Sequence, residues 1–270
     1  MTNSPRYADG HWTVESATAD LQNRIVERQF QRSDGSQGQL PPAGTLGEQY
    51  GLSRQAMNRV IERLKAEGLV ETRAGARGAT VREWSPLIFL PQQEFDSTPI
   101  CDADIYTRLV RAAARKGESR IDEVTAMPAD TRIQEKLGLR PGEHVAVRRR
   151  TNIVDGVPAL TDDSFVPLRI VDGTEWMLPQ SVERGTNKVL AELGHELVLA
   201  IDELRPQMTR DAENRRLALS SSMPAIELIS TGFDRADRPV QVTVLTLPSR
   251  RNTVVYERRR LTENDGETQK

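Results

Sequence analysis

The spacing of apolar residues changes midway along the chain, and the change marks two differently built regions. In the first region, Ala19, Leu21, Ile25, Val26 and Phe30 recur at helical intervals, which predicts a helix over 16–30, stopped by the turn residues Ser33-Asp34-Gly35-Ser36-Gln37-Gly38. Leu46 and Tyr50, four apart and followed by Gly51, predict a short second helix over 45–50. Ser53 is an N-cap for a third helix, with Ala56, Met57, Val60, Ile61 and Leu64 on one stripe and Gly68 as its stop. Leu69–Arg73 and Ala79–Glu83 then read as two strands around Gly75-Ala76-Arg77-Gly78.

Prolines and mixed residues over 86–99 break this pattern. Beyond them the chain predicts helices at 104–114, 130–137, 185–193 and 211–219, and extended segments at 120–126, 145–154, 157–166, 197–208, 225–233 and 240–247. Asp155-Gly156 between two apolar runs is the strongest hairpin signal in the chain, and Asp234-Arg235-Ala236-Asp237 marks another. The expected architecture is α+β, divided into a mobile N-terminus (1–15), a helical domain with a hairpin (16–84), a linker (85–99), an α+β domain (100–260) and a frayed tail (261–270).

Composition narrows the function. The 270 residues are 37% hydrophobic, enough for two cores, and no apolar run is long enough to span a bilayer, so a cytoplasmic protein without membrane contact is expected. One cysteine, Cys101, and three scattered histidines give no disulfide framework and no metal-ligand pattern. No Ser/His/Asp set or glycine-rich phosphate loop is present, so neither catalytic residues nor cofactors are expected. Net charge is −2, yet between Arg54 and Arg82 seven basic residues face three acidic ones. A positive patch therefore sits inside an acidic chain.

That patch coincides with the third helix. Arg54 and Asn58 lie four apart, as do Gln55 and Arg59, which puts both pairs on the face opposite Met57, Val60 and Leu64. Arginine can donate twice to guanine, and asparagine or glutamine can pair with adenine. A surface helix can carry such residues merely as a solvated face. Here the following hairpin brings Arg73, Arg77 and Gly78, which suits a wing reaching phosphates or a minor groove, and the local charge supplies salt-sensitive affinity. Together these features favour DNA.

The residues carrying this reading resemble the winged helix-turn-helix of GntR-family bacterial regulators: Leu40-Pro41, Leu46-Gly47-Glu48-Gln49-Tyr50-Gly51-Leu52-Ser53-Arg54, Leu64-Lys65-Ala66-Glu67-Gly68-Leu69-Val70, and Gly75 with Arg77-Gly78-Ala79-Thr80-Val81. The resemblance implies a DNA contact at Arg54. Gly44 stands where the family commonly has a DNA-contacting arginine, and Asn58 where the recognition helix often has another, so the operator sequence is expected to differ.

A second resemblance runs from about 100 to 260. Leu137-Gly138-Leu139, Pro141-Gly142-Glu143, Arg148-Arg149-Arg150, Asp155-Gly156-Val157-Pro158, Asp163-Ser164-Phe165-Val166-Pro167, Leu193-Gly194, Asp237-Arg238-Pro239-Val240 and Pro248-Ser249-Arg250-Arg251 are similar to the UTRA effector domain of HutC-type GntR regulators. It implies a chorismate-lyase-like fold without the lyase activity, a small-molecule site and a dimer. From strand alternation alone, Arg149 and Thr151 share a face, as do Asp162 and Ser164 on the partner strand. An arginine beside hydroxyls and a carboxylate can hold an anionic or polyhydroxyl ligand; a cross-strand ion pair on a solvated face is the equal alternative. The resemblance favours Arg149, Thr151, Asp162, Ser164 and Arg251 as effector contacts, with Gln241 in place of a frequent family glutamate.

The expectation is a homodimeric regulator, a repressor whose winged helices read an inverted-repeat operator in double-stranded DNA and whose small-molecule effector acts through the C-terminal domain. An effector-independent repressor, as for plasmid transfer genes, and a lyase-like enzyme tethered to DNA are the alternatives.

Overall fold

The computed structural model describes residues 11–27, 29–30, 38–72, 78–81, 86–94, 105–182, 184–219 and 222–258. The chain forms two compact units, one comprising Met1–Ser85 with Arg210–Ser222 and the other Pro86–Thr209 with Met223–Lys270. No described helix is long and apolar enough to cross a membrane.

In the first unit, α1 (Val14–Val26), α2 (Ala43–Tyr50) and α3 (Arg54–Ala66) pack around Leu21, Leu46, Tyr50, Met57, Val60 and Leu64. Helix α1 begins before the apolar period does, because Thr13 and Ser16 cap each other's backbone N–H groups. Ser53 caps α3 by accepting from the Ala56 N–H at 3.1 Å. The hairpin pairs β1 (Val70–Glu71) with β2 (Thr80–Val81), and Gln39 bridges to Thr80 beside it.

The turn between α2 and α3 depends on two glycines. Gly51 adopts φ +62° as the C-cap of α2, and a Cβ on Gly47 would lie 2.7 Å from the Leu52 carbonyl oxygen. Gly47→Ala is expected to destabilise this unit by about 1–2 kcal/mol despite alanine's better helix propensity, because a backbone carbonyl must move. Urea melts of parent and variant check it.

The second unit is built on a six-stranded antiparallel sheet in the order β4-β5-β6-β9-β8-β7. Its strands are β4 (Gly117–Pro128), β5 (His144–Val154), β6 (Val157–Pro167), β7 (Leu197–Met208), β8 (Pro224–Asp234) and β9 (Pro239–Pro248). Asp155 and Gly156 both have positive φ, closing the β5–β6 hairpin as the sequence requires. One sheet face packs Val145, Val147, Phe165, Ile229 and Val242 against Ile133 and Leu137 of α5 (Thr131–Leu137). The other carries two clusters, one with Leu109 and Val110 of α4 (Ile105–Ala112) and one with Val171 of α6 (Leu168–Val171) and Leu190 of α7 (Thr186–Glu192). Helix α8 (Asp211–Arg216) lies in the segment that belongs to the first unit.

Part of the segment expected to be linker is structural. Leu87–Phe89 forms β3, parallel to β10 (Asn252–Val254), and Pro91–Glu94 makes one 3-10 turn, so 86–94 belongs to the second unit. Leu87 and Phe89 are buried, which an apolar Leu-Ile-Phe triplet between prolines permits.

Candidate functional site

On α3 the core stripe of Met57, Val60, Ile61 and Leu64 faces inward, and Arg54, Gln55, Asn58 and Arg59 are all exposed on the other side. Among the described residues none of these four is tied into a hydrogen bond or ion pair, whereas Arg63 is held by Glu15 at 2.9 Å and Lys65 by Glu62 at 3.6 Å. The helix thus spends its C-terminal cations on the fold and leaves its N-terminal ones available. Arg73 and Arg77 lie outside the described residues. Gly78 has φ +111°, and a Cβ there would lie 2.6 Å from the Leu40 carbonyl oxygen, so close backbone approach accounts for this glycine.

In the second unit the sheet is the floor of a cavity of about 1120 Å³. Arg150, Asp162, Gln241, Thr243, Ser230 and Asp202 rise from five strands, while the Pro91–Glu94 turn, α4, the start of α7 and Tyr256 form its walls. Arg150 donates to Asp162 at 2.6 Å. The Ser164 hydroxyl lies 3.3 Å from Asp162 Oδ1 and 3.3 Å from Thr243 Oγ1, on the same side of the sheet.

The register corrects the expected grouping. Arg150 pairs with Asp162 and Arg149 with Asp163, so Arg149 and Thr151 project from the face opposite Asp162 and Ser164. Arg149 there bonds Glu123 at 3.0 Å and pairs with Asp163, and Thr151 donates to Asp122. This is the cross-strand ion pair that residue chemistry alone left open. Arg251 is buried and donates to the Pro158 carbonyl, clamping the β6 start rather than lining the cavity. Of the five expected contacts, Asp162 lines the cavity and Ser164 supports it.

Residues 112–253, more than half of the chain, match the UTRA domain model. The chain belongs to the UTRA family. Over 226 residues it is 22% identical to the mannosyl-D-glycerate transport/metabolism system repressor MngR of Escherichia coli K12, covering 83% of this chain and 87% of that one. Two solved structures share the fold. PhnF from Mycobacterium smegmatis has a TM-score of 0.57 at 17% identity, covering 91% of this chain and all of the other, and a further GntR-family transcriptional regulator has 0.57 at 23%, covering 92% and 98%. The chain is thus a GntR regulator of the HutC type, with a winged helix-turn-helix and a UTRA domain.

Several UTRA cavity residues were invisible to sequence reasoning. Glu94 sits in the segment read as linker, and Asp202, Ser230, Thr243 and Tyr256 carry no motif. Burial, with the nearby charges of Asp202 and Asp162, pushes the Glu94 carboxyl up to about 6, against the hydrogen bond it accepts from Asn187 at 2.7 Å and the charge of Arg108. A group whose folded pKa is raised stabilises the fold fully below its unfolded pKa, and the contribution is lost as pH rises through about 6. Glu94→Gln is therefore expected to match the parent near pH 4 and to exceed its stability above pH 6 by up to about 2 kcal/mol. Thermal melts across that range check the crossover.

Proposed function

We propose that the protein is a homodimeric, cytoplasmic repressor that binds an inverted-repeat operator through Arg54, Gln55, Asn58 and Arg59 and releases it when a small molecule occupies the UTRA cavity. It acts by binding rather than catalysis. The observation that carries the reading is the exposed, untied polar face of α3 beside a local excess of positive charge. Arg73, Arg77 and Gly78 belong to the same proposed interface as the wing. The regulatory relatives, MngR among them, support the role.

The cavity favours an effector over an effector-independent repressor, because an idle domain has no need to keep about 1120 Å³ open between a polar floor and a partly apolar wall. Proposed contacts are Asp162, with Ser164 behind it, and Arg150. Edge strand β7 supports the dimer: Val198, Leu199, Ile201, Leu204 and Met208 are exposed along it, and its outer side has no described partner strand.

Fluorescence anisotropy with random-sequence duplexes tests DNA binding. Log K should fall linearly with log salt, and Arg59→Ala should reduce that slope by about one. No duplex affinity at low salt would refute the regulator reading. Metabolites that raise the melting temperature should then release the duplex; ligands that stabilise without release would favour effector independence.

A further inference from the structure

The proposed effector cavity holds more acceptors than the protein satisfies. Glu94 accepts a hydrogen bond from the Asn187 amide, and Asp202 accepts one from the Tyr256 hydroxyl at 3.0 Å. Among the described residues no lysine or arginine lies within salt-bridge distance of either carboxylate. The cations that line the cavity are committed elsewhere: Arg150 to Asp162 at 2.6 Å, Arg108 to the Gln93 carbonyl at 2.7 Å, Arg184 to Glu175 and Glu192, and Lys188 of α7 to a partner other than these two acids. Asp202 is close enough to raise the Glu94 carboxyl, so the two acids share one region of the cavity.

A third acceptor points to a ligand independently. Gln241 is 7% exposed and lines the cavity, its amide nitrogen donates to Thr243 Oγ1 at 2.9 Å, and its Oε1 is buried without a partner. Such an oxygen forfeits a hydrogen bond unless a ligand or a solvent molecule donates one, and its place on the cavity wall lets a ligand do so. Gln241 stands opposite Gly232 on β8, and the next row along the sheet sets Thr243 opposite Ser230 and Ser230 opposite Asp202. The floor therefore runs from the amide to the carboxylate without a protein cation.

Two carboxylates and a carbonyl oxygen, all acceptors, match a group that only donates. An ammonium has three N–H donors and no acceptor, and its charge offsets the carboxylates' mutual repulsion. Phe89, Ile105, Leu160 and Leu245 line the same cavity and fit an apolar body attached to it. We propose that the effector is an organic primary amine, its ammonium seated among Glu94, Asp202 and Gln241 and its apolar part against Phe89, Ile105, Leu160 and Leu245. This rests on the effector reading of the cavity.

The test uses the full chain and three matched probes, tyramine, its alcohol counterpart 4-(2-hydroxyethyl)phenol and its acid counterpart 4-hydroxyphenylacetate, with dissociation constants measured by ligand-observed NMR. Tyramine should bind at least tenfold more tightly than either analogue, and Glu94→Gln and Asp202→Asn should each erase most of that preference while the melt stays cooperative. Equal or tighter binding of the alcohol or acid would overturn the amine assignment and leave the cavity a ligand site. Amine binding that survives both substitutions unchanged, or no binding by any probe, would also overturn it. The effector reading itself fails separately, if stabilising metabolites never release DNA.

Discussion

Arg148→Ala is expected to cost the second unit about 3–5 kcal/mol, since a buried cavity opens and three backbone carbonyls, the Trp176 one buried and the other two partly so, lose a charged donor at once. The side chain is 1% exposed and lies with its guanidinium 5.9 Å from the Trp176 ring centroid. It donates to the Trp176 carbonyl at 2.8 Å, the Leu178 carbonyl at 2.9 Å and the Gln180 carbonyl. Burial, with the charge of Arg150, pulls it down to about 10, so it stays protonated at neutral pH. Arg149→Ala is the control: its ion pairs with Glu123 and Asp163 are partly solvent-exposed, and about 1 kcal/mol or less is expected. Urea melts compare the two, and a loss below 1 kcal/mol for Arg148→Ala would show that the carbonyls find other partners.

The double variant Arg54→Ala/Asn58→Ala is expected to lose roughly 2–6 kcal/mol of affinity for a selected operator, each base contact contributing about 1–3 kcal/mol. Both residues sit four apart on the exposed face of α3 and make no hydrogen bond or ion pair among the described residues, so the fold should tolerate their removal. Affinity for unrelated duplex should fall far less, because phosphate contacts carry that part. Titration of selected and scrambled duplexes separates the two. An equal loss on both would reassign these residues to the backbone.

The triplet Arg148-Arg149-Arg150 shows where sequence reading stops. Its position before Asp155-Gly156 identifies a strand leading into a hairpin, and the hairpin is there. The turn alone, with Val154 opposite Val157, would continue to place Arg149 opposite Asp162. A bulge between Asn152 and Ile153 on one strand and Leu160 and Pro158 on the other leaves Ala159 unpaired and shifts the register by one, so Arg150 meets Asp162 instead. One extra residue on β6 changes which carboxylate each arginine meets, and the one local sign of it is Pro158, a residue that a central strand carries only near its start or at a bulge. The N-terminal region was more legible because its elements are local: Ser53, the α3 stripe and Gly68 each act within a few residues. Glu94 and Tyr256 reach the cavity only through tertiary packing, one from a segment that its prolines make look like a linker and the other from the stretch after β10.

The central claim, that α3 reads bases, is tested most directly by selecting duplexes from a random pool with the full chain at moderate salt. Enrichment of one inverted repeat, with half-sites about 10 base pairs apart or a multiple of that, is expected for the parent. The same selection with Arg54→Ala should keep the repeat but lose the preference at one symmetry-related base pair in each half-site. No enriched repeat, or an Arg54→Ala profile identical to the parent's at every position, would contradict the account.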